Sequence, residues 1–164
     1  MPIKNIIQPD FIQISEYLRL RRFHENYMFA LPWYQNRHLV DLVDGKKAAL
    51  YDEEKLSRMY HYLNNHGECY FIEILENDIY VSVGDVTFSM DDCPIVIAPD
   101  YQKKGIGLLV IQTWIKRARE LGYKTIYVRD IFDYNIGSQR LFMKAGFVAY
   151  KKTEEGSSYL LDIK

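Results

Sequence analysis

Residues 94–128 constrain the fold more than any other part of the sequence. An almost purely apolar run, 94–98, is followed by a loop with two glycines, an amphipathic stretch and a second apolar run, 125–128. An apolar run without alternation is typical of a strand covered on both faces. A strand, a helix and a strand joined by a crossover of this length predict a parallel pair. We therefore predict an α/β fold with a mixed sheet, in which strand 94–98 is central.

The helix between these strands has a clear apolar face. Val110, Trp114 and Ala118 recur at i, i+4 and i+8, with Ile111 and Ile115 beside them. We expect the basic residues to face away from the core and Gly122 to close the helix. The basic residues in question are Lys116, Arg117 and Arg119.

Other elements are predicted from periodicity and from capping residues. A change to strand periodicity after Gly67 predicts an antiparallel hairpin, with strands at 69–74 and 79–88 and a turn at 76–78. Asp52 is a suitable N-cap for a helix over 53–65. The remaining predictions are extended structure at 11–14 and 17–20, helices at 22–30 and 135–145, and strands at 147–150 and 158–163.

Composition favours one soluble domain over residues 1–164. Hydrophobic residues make up 48% and charged residues 26% of the chain, as in ordinary globular proteins. The net charge of -1 offers no positive field for nucleic acid or an anionic membrane. No apolar run approaches the ~20 residues of a membrane span, and no signal-peptide pattern is present. We expect a cytoplasmic protein that binds neither nucleic acid nor membrane, with Cys69 and Cys93 reduced and buried in strands.

The loop at 98–107 leads directly into the amphipathic helix, and this position favours an anion site. Unpaired N–H groups at a helix N-terminus attract phosphate, and glycine lets phosphate approach the main chain. The loop satisfies neither the Walker A motif nor the dinucleotide fingerprint, whose third glycine is replaced by Val110. A glycine-containing helix start without any ligand remains the alternative.

Two motifs in this half of the chain resemble those of the GNAT family of N-acetyltransferases. Gln102-x-x-Gly105-x-Gly107 resembles the family's coenzyme A pyrophosphate signature, and residues 135–147 resemble its Asn-x-x-Ser/Ala-x-x-Leu-Tyr/Phe-x-x-x-Gly-Phe motif. Residues 83–97 look like a subgroup related to ribosomal-protein and aminoglycoside acetyltransferases. The resemblance implies antiparallel N-terminal strands, a central parallel pair with flanking helices, and acetyl-CoA as cosubstrate.

The resemblance also implies roles for individual residues. Backbone groups of Val96 and Ile97 would pair with the pantetheine amides, and Asn135 and Ser138 would reach the pantetheine arm. Phe142 would pack near the thioester. The pyrophosphate would be held by the segment made of Gln102, Lys103, Lys104, Gly105, Ile106 and Gly107. Alternatively, Asn135 only caps a helix, Ser138 supports that cap and Phe142 packs in the core.

Phe142 departs from the family pattern in one respect. Many relatives have a tyrosine there, whose hydroxyl protonates the leaving thiolate. A different donor is then required, with Ser138, Tyr134 and water as candidates. Alternatively, the thiol leaves without an acid, which its pKa near ~8.5 tolerates.

Carboxylates are the candidates for the general base that an amine acceptor requires. Asp130 occupies the position at which ribosomal-protein acetyltransferases of the family have a glutamate, while Asp85 and Glu73 lie on the hairpin strands. Each has a structural or solvated alternative role. Acidic residues at 52–54 and 91–92 would suit a cationic acceptor, and the rings of Tyr27, Trp33 and Tyr34 could wall its site or pack between helices.

The residue pattern favours direct transfer in a ternary complex. The histidines at 24, 38, 61 and 66 show no metal-ligand spacing, so no metal is expected, and no nucleophile elbow or Cys–His pair argues for covalent catalysis. The expected partners are acetyl-CoA and an amine-bearing small molecule or protein N-terminus, with the chain a monomer or homodimer. The alternative function is a non-catalytic acyl-CoA sensor.

Overall fold

The computed structural model describes residues 6–164 and has a mixed α/β architecture. The strands are β1 (Phe11–Gln13), β2 (Leu18–Arg22), β3 (Glu68–Glu76), β4 (Ile79–Phe88), β5 (Ile95–Ile97), β6 (Thr125–Phe132), β7 (Val148–Lys152) and β8 (Gly156–Asp162). The helices are α1 (Leu31–Tyr34), α2 (Arg37–Val43), α3 (Glu53–His66), α4 (Ile106–Glu120) and α5 (Ile136–Lys144). The predicted α/β class is confirmed.

The strands form two sheets. A five-stranded sheet has the order β1-β2-β3-β4-β5, and a three-stranded sheet has the order β6-β8-β7. The predicted hairpin is confirmed as β3 and β4, whose turn residues Asn77 and Asp78 have φ values of 50° and 63°. Positive φ at both central residues matches the right-handed twist of the strands that the turn connects.

The predicted central position of the 94–98 strand is corrected by the sheet order. β5 is the last strand of the first sheet, β6 belongs to the second, and all recorded pairs among residues 6–164 are antiparallel. β6 is instead tied to the loop before β5, because the N–H of Tyr127 donates to the Met90 carbonyl at 3.0 Å. Beyond that point β6 has a bulge in which Asp130 has a φ of 57°, and the two strands diverge.

Helices α3 and α4 agree with the sequence patterns. Asp52 accepts a hydrogen bond from the Lys55 N–H at 2.8 Å and caps α3. The apolar stripe of α4 is buried, and Gly122, with a φ of 76°, follows its C-cap. Arg117 was wrongly assigned to the solvent face: it is buried and donates to Glu68 from Nε at 2.8 Å and Nη2 at 2.7 Å.

The helix predicted at 22–30 does not form. Arg22 ends β2, the Phe23 N–H continues towards β3 with a hydrogen bond to the Cys69 carbonyl, and only a 3₁₀ turn, Met28–Ala30, precedes α1. Phe23 packs 5.7 Å from Tyr60 and 5.9 Å from Phe71, measured between ring centroids. Tertiary packing of the aromatic rings therefore outweighs the local helix propensity.

Two hydrophobic clusters organise the interior. The larger one packs α4 and α5 against both sheets, and its Trp114 ring stacks 5.6 Å from Phe147. The second joins α1, α2 and α3 to β3 and includes Tyr34 and Tyr60. No helix within residues 6–164 is long and apolar enough to cross a membrane.

Candidate active site

The N-terminal end of α4, with Gly105 as its N-cap, is open. Gly105 has a φ of 81°, which favours glycine, and a Cβ built there would have no other atom within 4 Å. No side chain among the described residues caps this helix end. The first N–H groups of α4 therefore face open space, with the positive end of the helix dipole behind them.

Gly107 has a different function from Gly105. A Cβ at Gly107 would lie 3.0 Å from Leu141 Cδ2 on α5. The second glycine of the motif thus permits close approach of α4 and α5, while the first exposes the helix end.

Strand β5 presents an open edge, and its residues alternate in direction. The Thr87 N–H donates to the Pro94 carbonyl at 3.0 Å and the Ala98 N–H to the Val83 carbonyl at 2.7 Å. Alternation then turns the backbone groups of Val96 towards β4 and those of Ile97 towards the open edge. The expected backbone contact from Val96 to pantetheine is therefore corrected, and Ile97 remains a candidate.

The loop folds back onto this edge. Gln102 Nε2 donates to the Ile97 carbonyl at 2.9 Å. The Ile97 N–H faces the same open side of β5 and remains available. Lys103 is exposed with a φ of 61°, and the Lys104 ammonium lies 5.3 Å from the centre of the Tyr101 ring.

The start of α5 combines capping with contacts to α2. Asn135 accepts from the Ser138 N–H at 3.1 Å, so it is a helix cap, and it also donates to the Leu42 carbonyl at 3.3 Å. Tyr134 donates its hydroxyl hydrogen bond to the Asp41 carbonyl at 2.6 Å. Phe142 is buried, with its ring edge-on to Phe147 at 5.3 Å. Because the Tyr134 hydroxyl hydrogen bonds to Asp41, it acts as a structural donor.

A cavity of about 700 Å³ connects these parts. It lies between the diverging β5 and β6 and is bordered by α2, α3, α4 and α5. The predicted site residues on its wall are Asp85, Val96, Ile97, Gln102, Lys103, Gly105, Ile106, Gly107, Asp130, Asn135, Ser138 and Phe142. The cavity thus brings two of the three candidate carboxylates to the same space as the open helix end.

Asp85 is the most unusual group in this cavity. Its side chain is buried, and Oδ2 accepts hydrogen bonds from Tyr34 at 2.7 Å and Tyr60 at 2.8 Å. Burial raises the pKa of Asp85 to about 6, against the opposing effect of the two phenols. No donor among residues 6–164 reaches Oδ1, which leaves that oxygen for a proton from the cavity.

The other two candidate carboxylates have different surroundings. Glu73 is buried on the sheet and accepts from Arg19 Nε at 2.7 Å, so it forms a structural ion pair away from the cavity wall. Asp130 lies on the wall but is exposed, and its N–H donates to Ser158 Oγ at 3.2 Å.

Sequence reasoning missed Tyr60 as a partner of Asp85. Tyr60 lies on α3, and its separation of 25 residues from Asp85 along the chain left no local signal. The available signal was a carboxylate inside an apolar strand, because a buried charge requires hydrogen-bond donors nearby.

No group of three or more potential ligands in the described part of the chain could hold a metal ion. The two cysteines are free and buried. Cys69 lies in β3 as predicted, whereas Cys93 precedes β5 and lines the cavity.

Comparison with known proteins gives a family match. The sequence profile of the acetyltransferase (GNAT) family matches residues 32–147. No curated protein sequence matches significantly.

Solved structures give a matching fold. Spermidine N-acetyltransferase from Vibrio cholerae, in complex with CoA and spermine, has a TM-score of 0.72 and 18% identity over 91% of this chain and 97% of that chain. A GNAT-family acetyltransferase from Bacillus anthracis has a TM-score of 0.73 and 19% identity, with 93% and 98% covered. The Salmonella typhimurium acetyltransferase that modifies the N-terminal serine of ribosomal protein L7/L12 has a TM-score of 0.69 and 13% identity, with 94% and 99% covered.

Proposed function

Since the chain belongs to the acetyltransferase (GNAT) family, whose members use acetyl-CoA, we propose that it transfers the acetyl group directly to a primary amine, with Asp85 as general base. The observation that carries this assignment is Asp85 itself, a buried cavity carboxylate with one oxygen held by two phenols and one left free.

The cofactor half of the cavity suits the coenzyme. Its pyrophosphate would lie at the open N–H groups from Lys103 to Gly107, with Lys103 supplying positive charge. The pantetheine amides would pair with Ile97 at the free edge of β5, as an added strand does. Ser138 and Asn135 border the same space from α5.

Asp85 would take the proton that the acceptor must lose. With a pKa of about 6 it is mostly ionised at neutral pH, yet it is a stronger base than an ordinary aspartate. The free Oδ1 accepts a proton from the ammonium, and the nitrogen lone pair then attacks the thioester carbon.

The remaining bond changes follow from the reaction. The C–N bond forms, the C–S bond breaks and the sulfur leaves with the bonding electron pair as a thiolate. The second amine proton passes to that sulfur, and Asp85 returns its proton to solvent. Ser138 is a candidate relay to the sulfur, because its side chain lines the cavity and no hydrogen bond to its hydroxyl is recorded among residues 6–164.

Direct transfer is supported by the state of the cavity thiol. Burial raises the pKa of Cys93 well above its usual value, so this thiol stays protonated. A protonated thiol is a poor nucleophile and does not favour an acetyl-enzyme intermediate.

Thiol release measured with an amine panel over a pH series tests the proposal. Wild-type kcat/KM should fall as pH drops through about 6, because protonation removes the base. Asp85→Asn should lose about a hundredfold or more in kcat, with acetyl-CoA affinity retained in calorimetry.

Asp130→Asn is the matched control, since it neutralises the other candidate carboxylate on the cavity wall. Its kcat/KM should fall as pH drops through about 6, as in the wild type; this fall is the acidic limb of the pH–rate profile. Loss of that limb in Asp130→Asn, with normal activity in Asp85→Asn, would reject Asp85 as the base. Acetyl-CoA binding without thiol release for any amine would support the sensor alternative.

A further inference from the structure

The part of the cavity next to Asp85 is walled by apolar side chains. Leu39 and Leu42 of α2 line it, and so do Met59 and Leu63 of α3, which flank the Asp85 partner Tyr60 in sequence. Leu39 is buried, and the other three are partly buried. Whatever enters this end loses water on most sides and gains apolar contacts.

The second carboxylate at this end, Asp44, already has partners within the chain. Asp44 accepts a hydrogen bond from the Tyr51 hydroxyl at 2.7 Å, and the Lys55 ammonium lies 4.0 Å from its Oδ2. The same ammonium is 4.3 Å from the centre of the Tyr51 ring and donates to the Ala49 carbonyl at 2.9 Å. A carboxylate beside an aromatic face is a site for an ammonium group, and Lys55 occupies it.

Asp85 has a different charge environment from Asp44. Both hydrogen bonds to its carboxylate come from neutral phenols, and burial raises the pKa of Tyr34 and of Tyr60 well above the ordinary value, so both remain donors. Asp92, on another part of the wall, accepts backbone N–H groups from Cys93 at 2.9 Å and Arg129 at 3.1 Å. Asp130 is exposed on the β6 bulge. Of Asp44 and Asp85, Asp85 is therefore the carboxylate that has no cation paired with it among residues 6–164.

From this distribution we infer that the acceptor carries one ammonium group on an apolar body, and that Lys55 excludes amines with a second ammonium. The inference rests on the proposed function and specifies its acceptor. The single ammonium meets Asp85, and the apolar body packs on α2 and α3. A second ammonium beside Leu39, Leu42, Met59 and Leu63 would be buried against apolar side chains without a free carboxylate, which is costly. The acidic segments 52–54 and 91–92 suggest a cationic acceptor, and the cavity wall favours an acceptor with a single positive charge.

Competition among defined amines tests the inference. The wild-type protein would be assayed for thiol release with 2-phenylethylamine, a series of α,ω-diamines, spermidine and a peptide with a free N-terminus. The kcat/KM for 2-phenylethylamine should exceed that for each polyamine by about tenfold or more, as expected for one unpaired buried charge. Preference for spermidine, a diamine or the peptide overturns the inference and leaves the proposed function intact. No turnover with any amine counts against the proposed function itself.

Lys55→Met tests the excluding role directly. This change frees Asp44 and the Tyr51 ring, so at least one diamine should gain about fivefold in kcat/KM, while 2-phenylethylamine changes little. Lys47→Met is the matched control, because Lys47 is exposed and, unlike Lys55, has no recorded contact with Asp44 or the Tyr51 ring, and it should alter neither substrate. Failure of every diamine to gain in Lys55→Met overturns the role given to Lys55.

Discussion

Asp85 shows how burial and hydrogen bonding oppose each other at one carboxylate. Burial raises its pKa, while Tyr34 and Tyr60 lower it by stabilising the ionised form, and the balance is about 6. Tyr34 lines the cavity, whereas Tyr60 reaches Asp85 from within the core. Tyr60 therefore offers a way to tune the base without touching the acceptor.

Tyr60→Phe should move the acidic limb of the pH–rate profile upwards. Losing one hydrogen bond to the ionised carboxylate raises the pKa of Asp85, so the base becomes protonated and inactive at a higher pH. One hydrogen bond corresponds to about half to one pH unit. The measurement is kcat/KM against pH with a saturating second substrate.

Tyr27→Phe is the control for this change. Tyr27 packs against the Tyr60 ring with centroids 5.3 Å apart, but no hydrogen bond from its hydroxyl to Asp85 is recorded. The acidic limb of the pH–rate profile of Tyr27→Phe should match that of the wild type. An unshifted limb in Tyr60→Phe would mean that Asp85 is not the group that titrates.

At the scale of the element, the first turn of helix α4 provides the proposed pyrophosphate site. Gly105 exposes the N–H groups there, and a substitution has to tolerate its φ of 81°. Asparagine and aspartate adopt left-handed backbone more readily than other non-glycine residues. They form a pair of variants that differ in charge alone.

Gly105→Asp should bind acetyl-CoA at least about tenfold more weakly than Gly105→Asn. Both side chains have nearly the same size, but the carboxylate also repels a pyrophosphate at close range. Calorimetry with acetyl-CoA compares the two, and circular dichroism checks that both are folded. Equal affinities would show that the pyrophosphate lies elsewhere.

At the scale of the whole molecule, a largely buried ion pair outside the cavity wall connects distant parts of the chain. Arg117 of α4 binds Glu68 of β3, and its Nη2 also donates to the Ile7 carbonyl at 3.2 Å. The guanidinium therefore links the N-terminal segment, the first sheet and α4. Its removal leaves Glu68 with the Tyr70 hydroxyl, 2.9 Å away, as a remaining partner.

Arg117→Met should lower the free energy of unfolding by about 2–3 kcal/mol, because the charged hydrogen bonds are lost and Glu68 loses its cation. Urea unfolding measures the change, and kcat at moderate temperature should stay near the wild-type value. Arg119→Met, which removes an exposed arginine from the same helix, should cost no more than about 0.5 kcal/mol. Equal effects of the two would contradict the linking role of Arg117.

The sequence by itself determined the features that depend on neighbouring residues. The glycine that opens α4, the cap that Asn135 provides for α5 and the hairpin turn at Asn77 and Asp78 are all set by local backbone geometry. The motif around Gly105 therefore led correctly to the acetyltransferase family.

Only the tertiary structure decided the features that join distant residues. Tyr34 lies 51 residues from Asp85, and Arg117 lies 49 residues from Glu68, so neither contact has a local pattern. The sequence also left open which residues of β5 face its free edge, because that direction depends on the register with β4. Periodicity reports which side of an element is apolar, whereas a buried charge is placed by whichever remote donors the fold brings to it.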